Sequence, residues 1–291
     1  MIFDLISPDS LLASLGRAMA EAPQDNTLAT ASGVTVSGWL ALFSFLIFYA
    51  GACFGSFANA CALRLVRDED FIHAKSRCRT CERPLGIKEN IPLFGYIALR
   101  GRCACRKISL SPRYLLVELF MGLITLSYAA IMPPVMAIGF SLAAIFIAIS
   151  FLTDIEAMIL HPALLTILGG LGLVFAIAGS SGVFVWHIGW SEAIVGALLG
   201  AGMPLLINAI FRLIRGKNGF GEGDFWLLSA IGAWLGPVLT IVVFFGAAAL
   251  GAIAGMALIL LGKAAIGSKL PFGLFLSVVF ILCSKLYMLL H

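Results

Sequence analysis

Two aspartates, each at the edge of an apolar segment, are the residues of this sequence best suited to chemistry. Asp154 ends one apolar run, and Asp224 begins another within the sequence Gly-Glu-Gly-Asp of residues 221 to 224. An ionisable side chain beside hydrocarbon is costly enough to indicate a functional site. Two carboxyl groups that share one proton can act as base and acid, one activating water and the other protonating a leaving amine. The pair is therefore a candidate for hydrolysing a peptide bond.

Gly221, Glu222 and Gly223 form the segment that supports Asp224. Because glycine is a poor helix former, we expect Gly221 and Gly223 to let the backbone fray or approach a substrate strand closely. Glu222 fits either of two roles. In the first it tunes the ionisation of Asp224 or contacts a basic substrate segment, and in the second it is a solvated acid in a loop. Glu156 is an alternative to Asp154 or a neighbour that supports it. Each of these acids also fits a plain interfacial role, reaching to water or capping a helix.

The elements that position these acids are membrane-spanning helices. Hydrophobic residues make up 61% of the 291 residues and charged residues only 12%, with a mean hydropathy of +1.05. A spanning helix needs about 20 apolar residues. We therefore expect an all-α polytopic membrane protein with about eight transmembrane helices, the sixth of them short. The apolar windows are 36–62, 114–132, 135–153, 159–179, 191–211, 225–236, 238–261 and 271–290.

The distribution of basic residues orients these helices. Residues 64–113 hold twelve of the nineteen Lys and Arg residues, and the connections after residues 211 and 261 hold five more. By the positive-inside rule these three segments are cytoplasmic. Eight spans then place the N-terminus outside and both Asp154 and Asp224 at the cytoplasmic boundary. The net charge of +4 reflects this bias, so we do not expect binding to nucleic acid.

Four regions follow from this reading. Residues 1–35 form an N-terminal periplasmic extension, and residues 36–63 form the first transmembrane helix. Residues 64–112 form a small cytoplasmic domain, and residues 113–291 form a membrane core of seven helices. We expect the first helix to remain as an anchor, because the small-residue sequence ATAS precedes it instead of following it.

Four cysteines lie in the cytoplasmic insert, at the spacing CxxC followed by CxC: Cys78, Cys81, Cys103 and Cys105. The cytosol keeps thiols reduced, and an insert of about 50 residues gains most from a metal, so the four thiolates predict a tetrahedral zinc site. Reduced structural thiols or a redox pair are the alternatives. Cys53, Cys61 and Cys283 lie in apolar windows and fit small packing residues.

Six segments in order along the chain carry a resemblance to the type IV prepilin leader peptidases, a branch of the GxGD intramembrane aspartyl proteases. TDIEAMILHP resembles the first-aspartate motif of that family, and GKNGFGEGDFWLLSAIGAWLG resembles the second. The remaining matches are GACFGSFANACALRL, the cysteine segment from CRTC and ENIP to LRGRCAC, ISLSPRYLLVEL, and LPFGLFLS. The sequence departs from the family at Leu160-His161-Pro162, at Trp226 and at the CxC spacing.

The resemblance implies an activity, a substrate class and a location. It makes Asp154 and Asp224 the catalytic pair of an endopeptidase in the bacterial inner membrane. Its substrates would be prepilins or secretion pseudopilins, cut at the cytoplasmic face. It also implies N-methylation of the new amino terminus with S-adenosylmethionine, although no glycine-rich nucleotide motif locates that cofactor. The basic insert would additionally contact membrane lipid.

Two rival classes fit parts of the sequence. A transporter or channel would use the same acids along an ion path, although we find no internal repeat of the kind that carriers show. An inactive scaffold for pilus assembly would keep the fold without the activity. His161 is the best-placed histidine, seven residues beyond Asp154, whereas His73 and His187 fit solvated loop residues.

Overall fold

The computed structural model describes residues 36–69, 86, 89, 91–102, 109, 111–216, 219–263, 265, 268 and 270–290. The regular secondary structure of these residues is helical, which confirms the all-α class. The eight helices of this part of the chain are α1 (Val36–Arg67), α2 (Phe94–Ala98), α3 (Arg113–Ile131), α4 (Pro134–Ala157), α5 (Pro162–Ser180), α6 (Trp190–Arg215), α7 (Glu222–Leu260) and α8 (Phe272–Leu290).

Within the described residues, six helices are long and apolar enough to cross a membrane, namely α1 and α3 to α7. Helix α8 adds a shorter apolar segment, Phe272–Leu286. The polytopic membrane class is thus confirmed. This count of helices differs from the eight predicted spans, because the sixth and seventh predicted windows both fall within α7, and the number of crossings stays a prediction. The N-terminal extension of residues 1–35 lies outside the described residues.

Helix α7 contains a sharp bend that explains this difference. Gly236 has a left-handed φ of 75° with ψ −179°, and Pro237 follows it. Glycine adopts this conformation without strain, and proline cannot donate to the preceding turn. The bend divides α7 into residues 222–235, here called α7a, and residues 237–260, called α7b.

The contacts of α7b show that the chain doubles back after the bend. Phe244 lies eight residues beyond Gly236, yet its ring centroid is 5.8 Å from that of Phe220, which precedes α7a. Further along, the space beside Gly246 is filled by Val279, and that beside Gly255 by Leu270. Helix α7b therefore returns toward the end at which α7a begins, antiparallel to α8.

Helices α6 and α7a meet along a seam of glycines. A Cβ atom on Gly196 would lie 2.2 Å from the carbonyl oxygen of Gly232, and one on Gly232 would lie 2.1 Å from that of Gly196. Gly200 approaches Leu228 equally closely, at 2.2 Å. The Ser229 hydroxyl donates to the Ala197 carbonyl across the same seam, at 3.0 Å. The two backbones are in direct contact, as small residues allow between membrane helices.

A buried aromatic cluster joins α4, α7a and α8 far from Asp154. The ring of Phe140 stacks on Trp186 and contacts Trp234 and Phe280, with centroid distances of 5.7, 5.5 and 6.4 Å. The Trp234 indole N–H donates to the Leu168 carbonyl at 2.8 Å. Phe140 and Asp154 are 14 residues apart on one helix, which is about 21 Å. This packing holds the bundle together at one end and leaves the other end for the acids.

Candidate active site

Asp154 lies in the last turn of α4 and is only 4% exposed. Its Oδ2 accepts the backbone N–H of Leu274 at 2.8 Å. Leu274 belongs to the first turn of α8, where N–H groups lack partners within the helix. The carboxylate of Asp154 therefore caps a helix 120 residues further along the chain.

Gly273 is required for this close approach. A Cβ atom at residue 273 would lie 2.9 Å from Oδ2 of Asp154 and 2.9 Å from Cδ1 of Leu160. These separations are shorter than side-chain atoms tolerate, so any larger residue would displace the carboxylate or the leucine. The sequence carries no separate signal for this contact, because its donor is a backbone group.

Asp224 lies in the first turn of α7a and is 8% exposed. Its Oδ2 accepts the N–H of Gly221, the residue that precedes the helix, at 3.0 Å. This is the reciprocal half of a capping box, in which an acid in the first turn satisfies the backbone before it. The positive end of the helix dipole favours an acid there as well.

Leu160 connects the surroundings of the two aspartates. A Cβ atom on Gly223 would lie only 2.5 Å from Cβ of Leu160, so the start of α7a packs directly on this side chain. The same leucine contacts Gly273, in the turn of α8 that Asp154 caps. The segments that hold the two selected acids, which are 70 residues apart in sequence, therefore pack on the same side chain.

Glu222 and Gly223 are helical, which changes the role expected for the glycines. Helix α7 begins at Glu222, and Gly221 has an ordinary extended conformation with φ −73°. Gly223 provides room for Leu160 of the same chain rather than for a frayed backbone. Glu222 is exposed and lines an open cavity of about 350 Å³ beside α6. The other residues that line it are Leu205, Asn208, Ala209, Arg212 and Phe225.

Asn208, a buried amide on α6 that is 5% exposed, was not among the predicted site residues. Its side chain hydrogen-bonds to the backbone of Gly219 and Phe220, immediately before the Gly221–Asp224 segment. The residue type of Asn208 was the signal that could have identified it, because an amide in the middle of an apolar window is costly unless it has hydrogen-bond partners.

Glu156 lies two residues beyond Asp154 and forms an ion pair with Arg113 of α3. The side chains of the pair are 19% and 24% exposed. Glu156 therefore ties the end of α4 to the beginning of α3, and this contact places it as a neighbour of Asp154 that supports the helix end.

The histidines lie apart from one another. His161 precedes α5, and its carbonyl accepts the N–H groups of Leu164 and Leu165. His187 lies between α5 and α6 against Phe140, where burial lowers its pKa to about 4. That pKa makes His187 neutral at physiological pH, and its partner Phe140 is about 21 Å along α4 from Asp154. His73 lies outside the described residues.

The predicted zinc ligands Cys78, Cys81, Cys103 and Cys105 also lie outside the described residues. Within the part of the chain that the structure describes, no group of three or more His, Cys, Asp or Glu residues is arranged to hold a metal ion. The described cysteines are Cys61 and Cys283, which are buried, and Cys53, which is exposed. The zinc site consequently remains a prediction.

Comparison with known proteins places these observations in a family. Residues 49–132 match the bacterial peptidase A24 N-terminal domain, and residues 140–256 match the type IV leader peptidase family. Asp154 and Asp224 both fall within the second match. No solved structure matches the chain.

Curated proteins named prepilin leader peptidase/N-methyltransferase are similar over most of the chain. The relative from Aeromonas salmonicida is 34% identical over 70% of this chain and 68% of its own length. The relative from Klebsiella pneumoniae is 33% identical over 67% of this chain and 86% of its own length. The relative from Stutzerimonas stutzeri is 34% identical, with coverage of 70% and 68%. Together with the family matches, these identities show that the chain belongs to the type IV leader peptidase family.

Proposed function

We propose that the protein is a membrane-embedded aspartic endopeptidase that removes the leader peptide of prepilins or of secretion pseudopilins. The names of its relatives, prepilin leader peptidase/N-methyltransferase, support this substrate class. The location that follows from the substrate and from the basic segments is the cytoplasmic face of the bacterial inner membrane. The observation that carries the proposal is that the helix ends which hold two buried aspartates both pack on Leu160.

Asp154 and Asp224 would divide the chemistry between them. One carboxylate takes a proton from water as the water oxygen bonds to the scissile carbonyl carbon. The other, protonated, carboxyl gives its proton to the amide nitrogen as the carbon–nitrogen bond breaks. The hydrogen bonds from Gly221 to Asp224 and from Leu274 to Asp154 would fix the orientation of the carboxyl groups during both steps.

The bend in α7 supports a site that water can reach. Helix α7a has 14 residues and is about 21 Å long, whereas the hydrocarbon of a bilayer is about 30 Å thick. Asp224 at the start of α7a would then lie below the membrane surface, in an opening on the cytoplasmic side. Counting α7a, α7b and α8 separately gives the eight segments that the sequence predicts, with both aspartates on one side.

Replacing either aspartate tests the catalytic assignment. We expect Asp154→Asn and Asp224→Asn to reduce cleavage of a purified prepilin at least about 100-fold, because neither amide can transfer the proton. The product is measured by mass spectrometry. Glu192→Gln is the matched control, since Glu192 caps the opposite end of α6 through the Gly189 N–H and should retain activity. Full cleavage by either Asn variant would contradict the proposal.

The same assay separates the rival classes. A transporter or an inactive scaffold would release no shortened prepilin from the wild-type protein. Cleavage that depends on Asp154 and Asp224 excludes both rivals, whereas a wild-type protein that binds prepilin and leaves it intact supports the scaffold.

We propose S-adenosylmethionine as the donor of a methyl group to the new amino terminus, in line with the relatives' names. Its amino-acid end requires hydrogen-bond acceptors for the ammonium and donors for the carboxylate. Among the described residues, Oδ1 of Asn59 and two guanidinium nitrogens of Arg113, Nε and Nη2, are buried without a partner. These groups fit that end of the cofactor. Isothermal titration of S-adenosylmethionine into the wild type and Asn59→Ala measures the contribution of the Asn59 side chain to binding.

We propose a structural zinc ion bound by Cys78, Cys81, Cys103 and Cys105. The two cysteine pairs and the cytoplasmic location of the insert support a Cys₄ site. Elemental analysis of the purified protein should give one zinc per chain, and Cys78→Ser with Cys81→Ser should remove it. A metal-free wild type prepared without chelators would contradict the assignment.

A further inference from the structure

Asn208 makes an unusual set of hydrogen bonds for a residue within an apolar helix. Its Oδ1 accepts the backbone N–H groups of Gly219 and Phe220, both at 2.8 Å. Its Nδ2 donates to the Phe220 carbonyl at 3.0 Å. One buried side chain therefore satisfies three backbone groups of a segment 11 to 12 residues away. A primary amide can make four such bonds, so most of its capacity is committed to this segment.

The segment that Asn208 binds leads directly to the second aspartate. Gly221 follows Phe220, and its N–H donates to Oδ2 of Asp224. The orientation of the Asp224 carboxylate thus depends on where the backbone of residues 219–221 lies. Two hydrogen bonds in series, from Asn208 to Phe220 and from Gly221 to Asp224, connect α6 to the carboxylate.

Phe220 also connects this segment to the other half of the site. Its ring centroid is 5.0 Å from that of Phe272 and 5.8 Å from that of Phe244. Phe272 is the first residue of α8, adjacent to the turn that Asp154 caps. Fixing Phe220 therefore fixes the start of α7a relative to the start of α8, and hence the separation of the two carboxylates.

A role in which Asn208 only joins helices α6 and α7a does not account for its hydrogen-bond partners. All three bonds go to residues 219 and 220, and the polar contact that joins the helices themselves is made by Ser229 and Ala197. We propose that Asn208 is a positioning residue that holds Asp224 in its catalytic orientation. The proposal rests on the proposed function, in which Asp224 is one of the two catalytic acids.

Three substitutions of Asn208 separate hydrogen bonding from packing. Asn208→Ala removes the three bonds and leaves space, whereas Asn208→Leu removes them and keeps most of the volume. Asn208→Asp keeps an acceptor for the two N–H groups and loses the donor to Phe220. Ser229→Ala is the matched control, because it removes one polar contact between the same two helices away from residues 219–221.

We expect the Ala and Leu variants to lower kcat for prepilin cleavage about 10- to 100-fold with KM changed less than about 2-fold, because the acid is displaced while substrate contacts remain. Asn208→Asp should retain more activity than either, and Ser229→Ala should match the wild type. Recovery of kcat by Asn208→Leu would overturn the proposal, since only packing would then be needed. Equal losses in Ser229→Ala would also overturn it.

Hydrogen exchange gives a readout that does not depend on activity. In the wild type, the amides of Gly219 and Phe220 should exchange slowly, and Asn208→Ala and Asn208→Leu should each accelerate their exchange at least about 10-fold, because their acceptor Oδ1 is lost. Ser229→Ala should not change it. Unchanged exchange in both Asn208 variants would refute the positioning role. If the wild type cuts no prepilin, the proposed function fails, and the exchange data still decide whether Asn208 holds this segment.

Discussion

The two aspartates are held in opposite ways, although they lie in one site. Asp154 ends its own helix and caps the first turn of α8, which is 120 residues away in sequence. Asp224 begins its own helix and binds Gly221, which is three residues away. The first carboxylate is held by the tertiary fold and the second by a local turn that Asn208 secures from α6.

This difference shows where the site is vulnerable. Any change that moves α8 relative to α4 reaches Asp154 directly, through Gly273 and Leu274. Asp224 responds instead to changes in residues 219–223 and in their contacts. Substitutions near each acid can therefore test whether the two halves fail independently.

The largest effect is expected from Gly273→Ala. Its new Cβ would lie 2.9 Å from both Oδ2 of Asp154 and Cδ1 of Leu160, so the carboxylate must move. A displacement approaching 1 Å can cost about 100-fold in rate, and we expect a loss of that order in kcat for prepilin cleavage. A Gly273→Ala protein with wild-type kcat would show that the cap from Asp154 to α8 is not needed.

A smaller loss, about 10-fold, is expected from Gly223→Ala on the Asp224 side. The added Cβ would lie 2.5 Å from Cβ of Leu160 and should push the start of α7a away from Leu160. Leu160→Ala retains that Cβ, so adding it should not restore Gly223→Ala. The same Leu160→Ala change removes Cδ1 and should partly restore Gly273→Ala. Measured kcat values of the singles and doubles test this asymmetry, and equal rescue of both glycine variants would contradict it.

A still smaller effect on rate is expected at the Arg113–Glu156 pair, which supports only the Asp154 half. Removing one partner leaves the other partly buried and uncompensated, so Arg113→Gln or Glu156→Gln should lower the melting temperature by about 3 °C or more. The loss in kcat should be about 2- to 5-fold. The double variant should be more stable than the sum of the singles implies. Faster hydrogen exchange at residues 219–221 in these variants would contradict the separation of the two halves.

The smallest effect is expected from Gly221→Ala. The new Cβ would lie 3.5 Å from Oδ2 of Asp224, an ordinary contact, and the backbone of Gly221 has φ −73°, which alanine adopts readily. We expect kcat within about 2-fold of the wild type. A large loss would indicate that residue 221 must move during the reaction, and the Asp224 half would then be less rigid than described.

The sequence singled out the two acids as candidates but did not predict which groups hold them. Asp154 and Asp224 were found because a charge beside hydrocarbon is rare, and the window 271–290 agrees with α8. The cap from Asp154 to α8 was not predictable, because backbone N–H groups carry no residue signal. Asn208 was visible as a polar residue in an apolar window and was overlooked. The windows 225–236 and 238–261 placed a boundary beside Gly236. The reversal of the chain direction at that point depends on tertiary contacts, so it could not be predicted from the sequence.

The glycine seam between α6 and α7a limits how a substrate helix can reach the acids. Carbonyl oxygens and α-carbons already touch at Gly196, Gly200 and Gly232, so no peptide can slide between these two helices. The two helices pack closely against each other, and α6 carries Asn208 while α7a carries Asp224. A helix that approaches Asp224 must therefore come from a side of α7a other than the one that faces α6.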